Sequence, residues 1–262
     1  MTNDIYGPFP GRADFLAGLT EQQRDRYEQL GTNLEVVERR IVAACEAAGR
    51  PREDVTLIVV TKTYPAEDTA LLAGLGVTDV AENRDQDAAP KAELCVQLPL
   101  TWHFVGQLQT NKVRSVVRYA DAVHSVDRPR LVESLSAAVL RSERAPLDCL
   151  VQVALDKESG EGEHRAGVAP ADVPALADKI ADTPGLRMAG VMTVAPLAGP
   201  LADRPDLAFA RLAEIASAVR ASHPAATMVS AGMSGDLEQA VAAGATHVRV
   251  GTAVLGVRSP LG

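Results

Sequence analysis

Eight short runs rich in valine and isoleucine, each separated from the next by a longer amphipathic stretch, constrain this chain more than any other feature. The runs cover residues 55–61, 79–81, 102–105, 122–125, 148–154, 187–193, 227–230 and 247–250; helical patterns fill 66–74, 85–95, 110–119, 128–142, 171–181, 204–221 and 235–243. Alternation of this kind implies βα units on a parallel sheet, and eight units predict closure into a (β/α)8 TIM barrel. The 262 residues suit one such barrel, which takes about 250. An open doubly wound sheet is the alternative. It wants GxGxxG after its first strand, and this chain has Thr61-Lys62-Thr63-Tyr64-Pro65 there.

Residues 1 to about 25 carry Pro8, Pro10 and two glycines near their start and predict an irregular segment. A helix follows near 30–48, with Leu34, Val37, Ile41, Val42 and Cys45 at helical spacing, and Gly49 and Pro51 end it. The expected division is an N-terminal extension over 1–29 and a barrel over 30–262. Only 257–262 follow Gly256, too few to fold further.

The net charge of −8 offers no basic field, which argues against a nucleic-acid partner. Cys45, Cys95 and Cys149 form no CxxC pair and fit a reducing, cytoplasmic setting. The five histidines show no HxxxH pair, so no metal site is expected. No signal peptide and no membrane-spanning run is read, and no helical seam points beyond a monomer.

Lys62 directly follows the apolar run Val55-Thr56-Leu57-Ile58-Val59-Val60, at the strand end where barrels build their sites. Burial there would disfavour the ammonium and make the amine a nucleophile suited to a Schiff base. The competing reading is a lysine that snorkels at the rim. Ser230-Ala231-Gly232-Met233-Ser234-Gly235-Asp236 follows the seventh strand, and Arg249-Val250-Gly251-Thr252 ends the eighth. Backbone amides and hydroxyls of Ser234, Gly251 and Thr252 suit a phosphate cup, with Ser234 capping the next helix; ordinary capping without a ligand is the alternative. Closure sets the first strand beside the eighth, so Lys62 and Gly251 become neighbours. An aldehyde carrying a phosphate would span them, which fits pyridoxal 5'-phosphate, although another phosphorylated metabolite held without an imine also suits the cup.

Arg249 shares strand parity with Gly251 and is expected to point inward toward the pyridine ring, or else to pair with an interior carboxylate. An arginine there leaves the ring nitrogen unprotonated and weakens it as an electron sink. Gly232-Met233-Ser234-Gly235-Asp236 fails as a nucleophile elbow at Asp236, and Gly251–Gly256 fails as a P-loop at Val257-Arg258. His103, His124 and His247 are each read as interior histidines with one hydrogen bond, His103 alternatively as an acid/base.

Several stretches carry a resemblance. They are Val59-Val60-Thr61-Lys62-Thr63, Ala81-Glu82-Asn83-Arg84, Trp102-His103-Phe104-Val105-Gly106-Gln107-Leu108-Gln109-Thr110-Asn111-Lys112, His124-Ser125-Val126-Asp127, Met233-Ser234-Gly235-Asp236 and Arg249-Val250-Gly251-Thr252-Ala253. With these the chain resembles the pyridoxal phosphate homeostasis protein family (YggS/PROSC/PLPBP type) over about residues 30–258. The resemblance implies a barrel like the N-terminal domain of alanine racemase, with the cofactor on Lys62. It implies phosphate contacts from Ser234, Gly251, Thr252 and Ser230, Arg249 near the ring nitrogen, and Asn83 beside the cofactor. It also implies storage, buffering or delivery of the cofactor, with apo enzymes as partners and no established catalysis. Ala81 stands where the family usually has glycine, and Arg165 where relatives often have lysine. A pyridoxal phosphate-dependent racemase is the alternative function. It lacks chain for the second domain that supplies the opposing base, and would depend on His103 or Tyr64.

Overall fold

A computed structural model of the chain, describing residues 12–158, 166–196 and 199–256, closes eight parallel strands into one ring in chain order. The strands are β1 (Thr56–Val60), β2 (Asp79–Glu82), β3 (Thr101–Phe104), β4 (Ala122–Val126), β5 (Leu147–Gln152), β6 (Leu186–Met192), β7 (Met228–Ser230) and β8 (His247–Val250). The helices are α1 (Arg12–Ala17), α2 (Glu21–Ala47), α3 (Ala66–Gly74), α4 (Asp85–Leu94), α5 (Val113–Val116), α6 (Pro129–Arg141), α7 (Val173–Ala181), α8 (Pro205–Ser222), α9 (Leu237–Ala242) and α10 (Thr252–Leu255). Each strand expected from the sequence is present to within about two residues at either end. The helix expected over 110–119 is instead a 3-10 turn, Thr110–Lys112, followed by the single turn of α5.

The barrel closes where β1 runs beside β8, in the register Thr56↔His247 through Val59↔Val250. Alternation along each strand then sorts the side chains. Leu57, Val59, Val248 and Val250 face outward into the cluster beneath the helices, whereas Ile58 and its partner Arg249 face the barrel axis. Gly190 is required where β6 meets β7. Its φ is 155°, and a Cβ there would sit 1.8 Å from the Met228 carbonyl oxygen.

The segment read as irregular up to about residue 25 contains α1 and the first turn of α2. The overlooked signal is a capping box: the Gln23 amide donates to Thr20 Oγ1, and the Thr20 amide donates to Gln23 Oε1. From there α2 lies across the β1–β8 seam. Asn33 Nδ2 donates to the Val254 carbonyl at 2.8 Å and Arg26 Nη2 to the Leu255 carbonyl at 3.0 Å. Arg40 forms an ion pair with Glu238 at 2.7 Å. The helix thus braces α9 and α10, the two elements that follow the last βα turns. Among the described residues no helix is long and apolar enough to cross a membrane, and Cys45, Cys95 and Cys149 are free and buried.

Candidate functional site

The C-terminal end of β1 is held from outside the barrel. Thr61 Oγ1 donates to Glu82 Oε1 at 2.7 Å, and Lys91 Nζ donates to the Thr61 carbonyl at 2.8 Å while pairing with Glu82. Glu82 is fully buried and Lys91 nearly so. The hydrogen bonds from Thr61 to Glu82 Oε1 and from Lys91 to the Thr61 carbonyl help a buried ion pair of this kind to be tolerated. Thr63 then adopts φ 70°, a left-handed conformation that a β-branched residue seldom takes. The turn is closed by the Tyr64 amide on the Thr61 carbonyl, and the Tyr64 hydroxyl donates to the Gly256 carbonyl at 2.7 Å.

Lys62 sits on this anchored turn, with the inward parity of Ile58 and Val60. The expectation that the strand would bury it is corrected: β1 ends at Val60, the chain turns, and the Lys62 side chain is exposed. Its fixed backbone and free side chain suit a group that must reach a ligand.

Gly251 abuts the end of β1, where a Cβ would meet the Val60 carbonyl oxygen at 3.2 Å. The close approach puts the β8–α10 turn next to the strand that carries Lys62. The β7–α9 turn joins it, because the Ala253 amide donates to Ser234 Oγ at 3.4 Å. That bond corrects the expected capping role of Ser234. The N-cap of α9 is Asp236, whose Oδ1 accepts from the Met233 amide at 2.6 Å. Gly232, with φ 88°, permits the sharp exit from β7. Thr252 is exposed at the start of α10.

Ser230 departs from the expected cup. It is fully buried inside the barrel, accepting from Arg249 Nη1 at 2.7 Å and bonded to His124 Nδ1 at 2.9 Å. Its parity as the last residue of β7 turns it to the axis rather than toward the phosphate cup.

Arg249 points inward as expected. Its Nη2 donates to the Thr193 carbonyl at 2.8 Å, just past the end of β6. No carboxylate among the described residues pairs with it. Burial lowers its pKa to about 10, and it stays charged at neutral pH. A buried guanidinium with donors to spare suits an unprotonated pyridine nitrogen.

Asn83 follows β2 and is partly buried in a polar hollow with Asp85, Gln107 and Lys112. Its backbone is set by Gly106: a Cβ there would overlap the Asn83 carbonyl oxygen at 1.9 Å. The position Arg165 lies outside the described residues.

His247 makes the one hydrogen bond expected, to Thr246 Oγ1 at 2.8 Å, whereas His103 and His124 each make two. His103 Nε2 contacts Asp79 Oδ1 and its Nδ1 contacts His124 Nε2, both at 2.9 Å. Burial is the main cause that holds His124 well below the usual histidine range and His247 at about 4. The sequence reading also missed the Thr61–Glu82–Lys91 clamp. A carboxylate at an outward strand position nine residues before a helical lysine was the available signal.

Taken as donors, these groups offer a primary amine, a hydroxyl and amide cradle that a Cβ at Gly251 would crowd, and a buried guanidinium. That set fits the aldehyde, phosphate and ring nitrogen of pyridoxal 5'-phosphate.

Residues 32–259 match the family described as "Alanine racemase, N-terminal domain". The "Pyridoxal phosphate homeostasis protein" of Mycobacterium tuberculosis (strain ATCC 25618 / H37Rv) is 41% identical over 254 residues, covering 89% of this chain and 95% of that one. The protein of the same name from Escherichia coli (strain K12) is 34% identical, covering 86% and 95%. Among solved structures, PipY of Synechococcus elongatus PCC7942 with PLP bound superposes with a TM-score of 0.70 at 33% identity, covering 84% of this chain and 100% of that one.

Proposed function

This chain belongs to the pyridoxal phosphate homeostasis protein family and shares the alanine racemase N-terminal barrel, and from that premise we propose that it binds pyridoxal 5'-phosphate for intracellular homeostasis by storing, buffering or delivering it. Lys62 would hold the aldehyde as a Schiff base. Ser234, Gly251 and Thr252 would hold the phosphate, Arg249 the ring nitrogen, and Asn83 would lie beside the ring. The cofactor, when bound, supplies an electrophilic aldehyde and an electron-accepting ring.

The single observation that carries this reading is the seating of Gly251 against Val60, two residues before Lys62. It supports an amine and an anion cradle on neighbouring strands, as one small phosphorylated aldehyde requires. Racemisation draws no support from the side chains available for it. The Tyr64 hydroxyl is engaged by Gly256, and both nitrogens of His103 are engaged inside the barrel. The reading includes a cytoplasmic monomer made of the 30–262 barrel behind its N-terminal extension, with apo pyridoxal phosphate enzymes as recipients and neither nucleic acid nor membrane as partner.

The test is the absorbance spectrum of the purified protein mixed with pyridoxal 5'-phosphate, beside Lys62→Ala. A visible imine band in the wild type, fixed by borohydride on the peptide containing Lys62 and absent from the variant, is expected. Holo-protein should then activate an apo-enzyme. A colourless wild type rejects the reading.

A further inference from the structure

The barrel interior contains a chain of polar side chains that cofactor holding does not by itself require. TIM-barrel interiors are usually filled by Val, Ile and Leu. Here Asp79 at the foot of β2 contacts His103 on β3, His103 contacts His124 on β4, and His124 reaches across the axis to Ser230 on β7, each link 2.9 Å. Ser230 accepts from Arg249 at 2.7 Å. His124 and Ser230 are fully buried, and His103 and Arg249 nearly so. Burying such groups is unfavourable unless every link is made.

The carboxylate end sets the direction of the chain. Arg249 only donates. Asp79, as a carboxylate, only accepts: burial alone would raise its pKa, but hydrogen bonds from His103 and Thr78 outweigh that and hold it below the usual range. A neutral ring that donates to a carboxylate through one nitrogen accepts through the other, so the direction set at Asp79 passes along both histidines to Ser230. Arg249 donates to Ser230, and the Ser230 hydroxyl donates to His124 Nδ1. His124 Nε2–H donates to His103 Nδ1, and His103 Nε2–H donates to Asp79. With both rings neutral, each has one tautomer and every link holds one proton.

We propose that Asp79, His103, His124 and Ser230 form a tautomer-locked relay that fixes the Arg249 guanidinium at the barrel mouth, making the two histidines positioning residues for the pyridine end of a bound cofactor. The inference rests on the pyridoxal phosphate reading for its target. Two of the five guanidinium N–H donors are engaged among the described residues, by Ser230 and by the Thr193 carbonyl. The lock holds those two and would leave the remainder for the ligand. The other charged or titratable groups acting on the relay are His247, whose ring centroid lies 6.4 Å from that of His103, and Asp236, whose charge acts on Arg249.

The test has two arms. In the first, histidine 15N NMR of the cofactor-free protein reads the tautomers. His103 and His124 are expected neutral, each protonated at Nε2, and Asp79→Ala should abolish that preference at His103. In the second, the visible band and release rate of bound pyridoxal 5'-phosphate are measured for wild type, His124→Phe, Ser230→Ala and Ser230→Thr. The first two variants should shift the band and release the cofactor about tenfold faster, and Ser230→Thr should restore both. Ser230→Ala removes one oxygen and keeps the test decisive if His124→Phe does not fold. An Nδ1-protonated His124, or a coloured wild type whose folded variants match it in band and release within about twofold, overturns the relay alone. A colourless wild type overturns the cofactor reading together with the target of Arg249.

Discussion

Gly251 sits tightly against Val60: a Cβ on it would lie 3.2 Å from the Val60 carbonyl oxygen, and that oxygen belongs to the strand leading into Lys62. Gly251→Val should push the β8–α10 turn away from β1 and loosen the phosphate cradle. Affinity for pyridoxal 5'-phosphate should fall roughly tenfold, about 1.4 kcal/mol, in an absorbance titration, with the thermal midpoint little changed. Unchanged affinity would remove Gly251 from the cradle.

A much harsher contact occurs on the other side of the mouth. Gly106→Ala would place a Cβ 1.9 Å from the Asn83 carbonyl oxygen, which only a backbone shift can relieve. Destabilisation of about 3 kcal/mol is expected in urea unfolding. Gly235→Ala is the internal control, because nothing lies within 4 Å of its Cβ position.

The Glu82–Lys91 pair is buried behind Lys62, and Glu82 Oε2 has no hydrogen-bond partner among the described residues. Lys91→Met leaves a buried carboxylate unpaired and should cost about 3–5 kcal/mol. Lys91→Met combined with Glu82→Leu should recover much of that loss. Additive losses in the double variant would mean that the two side chains are not coupled.

Stability should also decline in mild acid. Burial chiefly holds folded His247 at about 4, whereas an unfolded histidine titrates near 6.5. Between those values the unfolded chain binds more protons, so the contribution is intact above about 6.5 and is lost as pH falls toward 4. The loss from this residue is on the order of 3 kcal/mol. Asp79, held below its usual range, weakens the fold only at lower pH still, as it protonates. His247→Asn should flatten the decline in denaturant midpoints measured from pH 7 to pH 4, and a slope unchanged by the substitution would clear His247 of it.

The barrel was legible because short valine- and isoleucine-rich runs and amphipathic stretches alternate without interruption, and closure then followed from their number. The adjacency of Gly251 to the end of the first strand and the inward turn of Arg249 were legible for a related reason: strand parity and the first–last adjacency of a ring are arithmetic on the sequence. Ser230 was expected in the cup along with its sequence neighbours, but its own side chain turns inward. The relay from Asp79 to Arg249 was invisible because its members come from five strands, and which nitrogen faces which partner is decided only once the ring closes. The exposed Lys62 reflects the strained Thr63 turn, and nothing in a Thr-Lys-Thr triplet announces a φ of 70°.

The brace formed by α2 has a consequence for synthesis. Its partners, the carbonyls of Val254 and Leu255, lie at the far end of the described chain from Arg26 and Asn33. While the ribosome still holds β8, the early strands display the amine of Lys62 with no seat for a phosphate beside it. On the proposed reading, a half-made chain would lack the phosphate half of the site, and retention of the vitamin would begin only after translation has delivered the last turn.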